Sequence, residues 1–400
     1  MTQILRARRL LTEQGWLADH QLRMEAGVIT AIEPVPVGVT ARDADLLCPA
    51  YIDTHVHGGA GIDVMDEAPE ALDRLAMYKT REGVGAWLPT TVTAPLQAIH
   101  DALERIARRT LSGGPGALVL GSYLEGPYFT PENKGAHPPE LFRELDIAEL
   151  DTLIARSRQT LRVVALAPEK PDAIRAIRHL KQQGIRVMLG HSAATYAQTR
   201  AAFTAGADGL VHCYNGMSGL HHREPGMVGA GLTTRHAWLE LIADGHHVHP
   251  AAMQLCCSCA RERLVLITDA MQAAGMPDGH YSLCGEEVEM RKGIVRTASG
   301  GLAGSTLSLD AAVRNMVEQA GATPEQAIHM ASLHPARLLG IDDRLGSLRA
   351  GKYANVIALD DSLQLQKSGF RDRLSPFNPF VMYHIGLRRC TERPFPFFLK

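Results

Sequence analysis

Apolar positions in this chain fall into short runs of about five residues, each followed by a longer stretch in which apolar side chains recur at helical spacing. The runs lie at residues 49–54, 85–91, 117–123, 161–165, 186–190, 209–213, 239–243 and 264–268, and amphipathic stretches such as 68–80, 95–109, 147–158, 171–183 and 195–205 lie between them. Strands covered by helices on their outer face read as unbroken apolar runs, and eight strand–helix units are the number that closes a barrel. A doubly wound sheet would gather its ligand at one strand-order switch. Here polar residues follow nearly every run, so the pattern predicts an α/β fold, a (β/α)8 TIM-like barrel over residues 49–345.

The pattern changes on either side. Residues 4–47 show strand-like spacing with turn signals near 13–15, 26–27 and 34–38, and no helical period. The stretch LGSLRAGKYANVIALDD, with turns at Gly346 and Gly351, returns to strand character. The two ends, 1–48 and 346–400, are expected to form one small β domain. Residues 281–298 read as a β excursion, 308–318 and 324–333 as closing helices, and the Pro/Phe/Arg-rich stretch 369–400 as an irregular, partly disordered tail.

Charge narrows the function classes. With 41 basic and 43 acidic residues, a formal charge of −2 gives no long-range attraction to nucleic acid or anionic membrane. No run of 18 apolar residues exists, and the first residues lack a secretory pattern, so a soluble cytoplasmic protein is expected. Seven cysteines are too sparse for a disulfide framework. The CCSC at 256–259 has no second pair at zinc-ribbon distance and reads as small buried residues on a helix.

The 18 histidines are the informative excess, because they cluster just after apolar runs. His55 and His57 form an H-x-H pair whose two-residue spacing sends both rings to one side of a strand. Glu125 sits between an apolar run and Gly126-Pro127, where a carboxylate is costly to bury without a cation. His191, His212 and Asp269 follow three further runs. Each alone is an ordinary polar cap as readily as a ligand. Jointly they occupy the strand ends where barrel active sites are built, and Glu with two His and an open position is a catalytic zinc arrangement. His55 and His57 then either hold a second ion about 3.5–4 Å from the first or support it.

The segments YIDTHVHGG, LEGPYFTPENKGAHPPE, LGHSAATY, VHCYNGMSGLHHREPG, IADGHHVHP, LITDAM and the loop GGLAGS, spread over about residues 45–360, together resemble the N-acetylglucosamine-6-phosphate deacetylases of the amidohydrolase superfamily. The resemblance implies a split β domain around a metal-bearing barrel, with Glu125, His191 and His212 as principal metal ligands and Asp269 as the catalytic acid–base. It also implies that His137 polarises the acetyl carbonyl and that Asn215, Arg223 and His247 hold the phosphorylated sugar. From the residues themselves, Asn215 and Gly216 offer side-chain and backbone donors near one loop, and the stretch with Leu302 and Ala303 is expected in the pocket wall. Relatives that keep the H-x-H can carry two ions. One or two divalent ions per subunit, zinc foremost, are therefore expected, together with a homodimer.

The expected reaction is hydrolysis of N-acetylglucosamine 6-phosphate to glucosamine 6-phosphate and acetate. The alternatives are the same reaction on the galactosamine epimer, since the metal set cannot read that hydroxyl, and a non-catalytic sugar-phosphate-binding regulator. Neither glycine cluster, at 58–61 or 300–305, has a P-loop or dinucleotide-binding spacing.

Overall fold

A computed structural model describes residues 2–366. Eight parallel strands, Tyr51–Val56, Val84–Thr91, Ser122–Glu125, Leu161–Leu166, Arg186–Leu189, Gly209–Leu210, Trp238–Ile242 and Leu264–Ile267, pair side by side in chain order. The last returns to the first: the Asp269 N–H donates to the His55 carbonyl at 2.9 Å, and the Thr268 N–H and Oγ1 donate to the Asp53 carboxylate at 3.2 and 2.6 Å. Lys79 Nζ, fully buried, lies 3.0 Å from the same carboxylate and keeps it compensated in the core. The result is the expected α/β barrel, nearly closed.

The intervening helices form where the spacing predicts them. In Leu96–Ser112 the residues Ile99, Leu103 and Ile106 recur on one face and are buried against the barrel. Ends are set by local chemistry. Thr195 and Gln198 cap Tyr196–Ala205 reciprocally, and Gly206 ends it in a left-handed conformation.

Two expected strands are shorter than their apolar runs. The run 117–123 splits into Leu118–Val119 and Ser122–Glu125 because Gly121, at φ +137°, passes so close to the Thr160 carbonyl that a Cβ would lie 2.1 Å from it. In the run 209–213 the regular strand ends at Leu210; two residues later His212 takes a φ of +28°, and the Cys213 N–H still donates to the Glu240 carbonyl at 2.7 Å.

A separate five-stranded sheet uses both ends of the described chain, in the order Val356–Leu359, Ala44–Pro49, Thr2–Thr12, Gly15–Glu25, Val28–Pro34. Leu5, Leu10, Leu22, Ile29, Leu47 and Val356 form its own core. The expected irregular tail at 369–400 lies outside the described residues. The β excursion forms a three-stranded sheet, Gly279–Leu283, Glu286–Arg291 and Ile294–Thr297, packed on Val92, Met271 and Ala303. The CCSC lies on helix Pro250–Ala260, where Cys256 and Cys257 are buried as expected but Cys259 is exposed. Among the described residues no helix is long and apolar enough to cross a membrane.

Candidate metal centre and active site

Each charged candidate is delivered where a strand stops. Glu125 ends the third barrel strand and is 2 % exposed. His191, His212 and Asp269 follow the fifth, sixth and eighth strands with φ of +46°, +28° and +50°. This left-handed backbone is unfavourable for residues with a Cβ and turns the three side chains over the strand ends. His55 lies on the first strand and His57 just past its end.

These groups converge on one carboxylate. Glu125 Oε1 lies 3.1 Å from His212 Nε2, 3.3 Å from His191 Nε2 and 3.4 Å from His55 Nε2. Glu125 Oε2 lies 3.1 Å from His57 Nε2 and 3.4 Å from His137 Nε2. Asp269 Oδ1 is 3.1 Å from His57 Nε2 and 3.6 Å from that of His55. Two sets, Glu125–His191–His212 and Glu125–His55–His57, each place three ligand atoms close enough to share an ion.

Hydrogen bonds on the far side of each ring fix which nitrogen is free. His191 Nδ1 donates to the Asn133 carbonyl at 3.0 Å, His212 Nδ1 to the Asn215 carbonyl at 3.0 Å and His57 Nδ1 to the Thr90 carbonyl at 3.1 Å. In the neutral rings each Nε2 is therefore a bare lone pair. Two such lone pairs, on His191 and His212, stand 3.0 Å apart and face the same carboxylate oxygen, an arrangement that needs a cation or a shared proton between them. The donor set fits a metal ion. His137 is the opposite case: the Thr93 N–H donates to its Nδ1 at 3.3 Å, so its neutral ring carries the proton on the Nε2 that faces Glu125.

Electrostatics follow the geometry. Burial works against ionisation of Glu125, yet the surrounding histidines hold its carboxyl well below the ordinary range. Burial likewise opposes ionisation of Asp269, and His57 and His55 outweigh it, bringing the group down to about 2. Burial opposes protonation of His57, but Asp269 and Glu125 raise it to about 9; His55 and His212 are raised for the same reason. His191 goes the other way, to about 4, through burial and the neighbouring His137. Without a cation, the carboxylates draw protons onto imidazoles that a metal would displace.

The remaining expected residues are placed less uniformly. The Asn215 Nδ2 is buried without a partner among the described residues, and at Gly216, φ +60°, a Cβ would fit tightly, 3.0 Å from His191 Nδ1. His247 is locked to Asp244 at 2.6 Å. Leu302 and Ala303 lie in the loop after the three-stranded sheet; Ala303 is buried in its core, and two residues further on the Ser305 N–H donates to the Asp269 carbonyl at 2.8 Å. Arg223 is exposed, and its guanidinium meets the ring of His222 at 2.8 Å rather than the histidine cluster.

Two further carboxylates at the site, Glu169 partly buried and Glu240 fully buried, are not singled out by the sequence. Glu169 accepts from Ser192 Oγ, Ala193 N and Thr130 Oγ1 at 2.6–2.8 Å and ties down the His191 loop. Its signal was its place after the fourth strand, as with the other candidates. Glu240, fully buried within the strand Trp238–Ile242, accepts from Thr54 Oγ1 and Tyr123 Oη at 3.1 and 3.3 Å, with His55 Nδ1 3.6 Å away. Its signal was a charge in the middle of an apolar run.

The sequence profile of the amidohydrolase family matches residues 46–381. The chain belongs to the amidohydrolase family. Within it, this amidohydrolase is 77% identical over 377 residues to the N-acetylgalactosamine-6-phosphate deacetylase of Escherichia coli O157:H7, covering 94% of this chain and all of that protein. It is 50% identical over 379 residues to the N-acetylglucosamine-6-phosphate deacetylase of Vibrio furnissii, covering 92% and 94% of the two chains. Among solved structures, a Mycobacterium smegmatis N-acetyl-D-glucosamine-6-phosphate deacetylase variant bound to N-acetyl-D-glucosamine 6-phosphate superposes with a TM-score of 0.86 at 32% identity, covering 91% of this chain and 96% of that one. The Thermotoga maritima N-acetylglucosamine-6-phosphate deacetylase gives 0.84 at 30%, covering 91% and 96%. The amidohydrolase is a hydrolytic enzyme of the amino-sugar-phosphate deacetylase branch, and amidohydrolases use divalent metals.

Proposed function

We propose that this amidohydrolase cleaves the acetamide of N-acetylglucosamine 6-phosphate, giving glucosamine 6-phosphate and acetate. The observation that carries the reading is the convergence of four histidine Nε2 atoms on Glu125, with Asp269 and a proton-bearing His137 Nε2 on the same rim. An amide resists attack, so the site must strengthen water as a nucleophile, stabilise negative charge on the carbonyl oxygen and protonate the leaving nitrogen.

Glu125, His191 and His212 would hold one divalent ion, and Glu125, His55 and His57 a second; imidazole and carboxylate donors with open positions favour zinc. A bound divalent cation supplies Lewis acidity and lowers the pKa of water from 15.7 to about 7. Asp269, held ionised, takes the proton as the C–O bond forms and returns it to nitrogen as the C–N bond breaks. His137 donates from Nε2 to the carbonyl oxygen as charge develops there. Asn215, Gly216, Arg223, His247, Leu302 and Ala303 are assigned to the sugar phosphate, the buried Asn215 amide being the best-supported of them. The exposed Arg223 loop and the half-exposed Leu220 beside it suit a homodimer contact, and free cysteines suit the cytoplasm.

A second reading, the galactosamine epimer, is supported by the 77% identity across the whole Escherichia coli protein. Paired kcat/KM measurements on the two N-acetyl 6-phosphates test both. Turnover of the glucosamine compound at least as fast as its epimer supports the first reading, a large preference for the epimer replaces it with the second, and equal turnover of unphosphorylated sugars overturns phosphate recognition.

A further inference from the structure

The five histidines around Glu125 are oriented in different ways. His57, His191 and His212 give their Nδ1 protons to backbone carbonyls, and His137 accepts a backbone N–H. His55 has none of these: its Nδ1 is buried and, among the described residues, meets no hydrogen-bond partner within normal range. What faces it is Glu240 Oε2 at 3.6 Å, a few tenths of an ångström beyond a hydrogen bond.

Glu240 is an unusual residue for its place. It stands at 0 % exposure in a barrel strand whose other members after Trp238 are Leu239, Leu241 and Ile242, also buried. Two neutral hydroxyls, on Thr54 and Tyr123, are its hydrogen-bond donors, and neither supplies the positive charge that a desolvated carboxylate needs. The ring of His55 packs against Tyr123 with centroids 4.7 Å apart, which keeps its Nδ1 edge turned to Glu240.

We propose that Glu240 is the positioning residue of the second ion site: its carboxylate holds His55 with the proton on Nδ1 and thereby presents the Nε2 lone pair to an ion shared with His57 and Glu125. The proposal rests on the two-ion reading above. A side-chain carboxylate does for His55 what backbone carbonyls do for His57, His191 and His212, and it adds negative charge that raises the basicity of the ligand. Loss of such a partner weakens metal affinity by about 10–100-fold.

The test is a zinc titration of chelated, full-chain protein in competition with a chromophoric chelator, for wild type, Glu240→Gln, His55→Ala and the double variant. The wild type is expected to bind two ions, and Glu240→Gln to bind the first unchanged and the second about 10–100-fold more weakly. In the His55→Ala background the Gln substitution is expected to change nothing further. A purely structural Glu240 would lower melting temperature while shifting both affinities alike or neither, and that result overturns the proposal but leaves two ions standing. A wild type that binds a single ion overturns both. Should Glu240→Gln not fold, Glu240→Asp, which draws the carboxylate back by one methylene, is read the same way.

Discussion

The two sides of the ion site are built from different materials. On the side of His191 and His212 the main chain does the orienting: left-handed residues at the strand ends turn the rings inward, and the carbonyls of Asn133 and Asn215 take the Nδ1 protons. On the side of His55 and His57 the pair comes from the first strand and its end, and one ring is faced by the side chain of Glu240. Main-chain orientation is difficult to lose by point substitution, whereas a side-chain partner disappears with one codon. The His191–His212 side is therefore the fixed part of the centre and the His55–His57 side the tunable part, with Glu125 shared between them.

Removing the shared group should erase the difference. Glu125→Ala is expected to abolish uptake at both positions and to reduce kcat/KM by about 10³–10⁴-fold, the equivalent of several kcal/mol of transition-state stabilisation. Metal analysis with kinetics checks this, and one retained ion would show that the sides do not share Glu125. Next in size, Asp269→Asn should keep both ions and lose about 10²–10⁴-fold in kcat, as removal of an acid–base group does. His137→Gln should cost about 10²–10³-fold in kcat with little change in KM, as the proposed role of its Nε2 as a donor to developing charge requires.

The smallest effect is on stability. His57 is raised to about 9, burial opposing and Asp269 and Glu125 driving the rise. A raised folded-state pKa contributes stability that is complete below the unfolded value of about 6.5 and is lost as pH rises through about 9. Chelated protein is thus expected to lose melting temperature across that window, and zinc-loaded protein to be nearly flat there. Scanning calorimetry on both forms reads the contrast.

Much of this architecture was legible in the chain because barrel strands buried on both faces must be apolar runs, and because ligands delivered at strand ends fall just after those runs. Glu125, His191, His212 and Asp269 announced themselves by position. Glu240 did not: its meaning depends on closure of the barrel, which brings Thr54, Tyr123 and His55 from two other strands onto a carboxylate that in sequence merely interrupts WLELI. The early stop of the sixth strand was hidden for a similar reason, since the conformation of His212 follows from tertiary contacts that periodicity does not carry. The exposure of Arg223 also lay beyond the sequence, because a basic loop motif does not say which way its guanidinium turns.

Deacetylation of an amino-sugar phosphate by this amidohydrolase is proposed to depend on ions held around Glu125. The most direct measurement is chelation followed by stepwise return of zinc, with ions per chain and hydrolysis of N-acetylglucosamine 6-phosphate recorded on the same samples. Chelated protein is expected to be inactive, its activity returning in step with bound zinc. Full activity in protein shown to be free of metal would contradict that dependence.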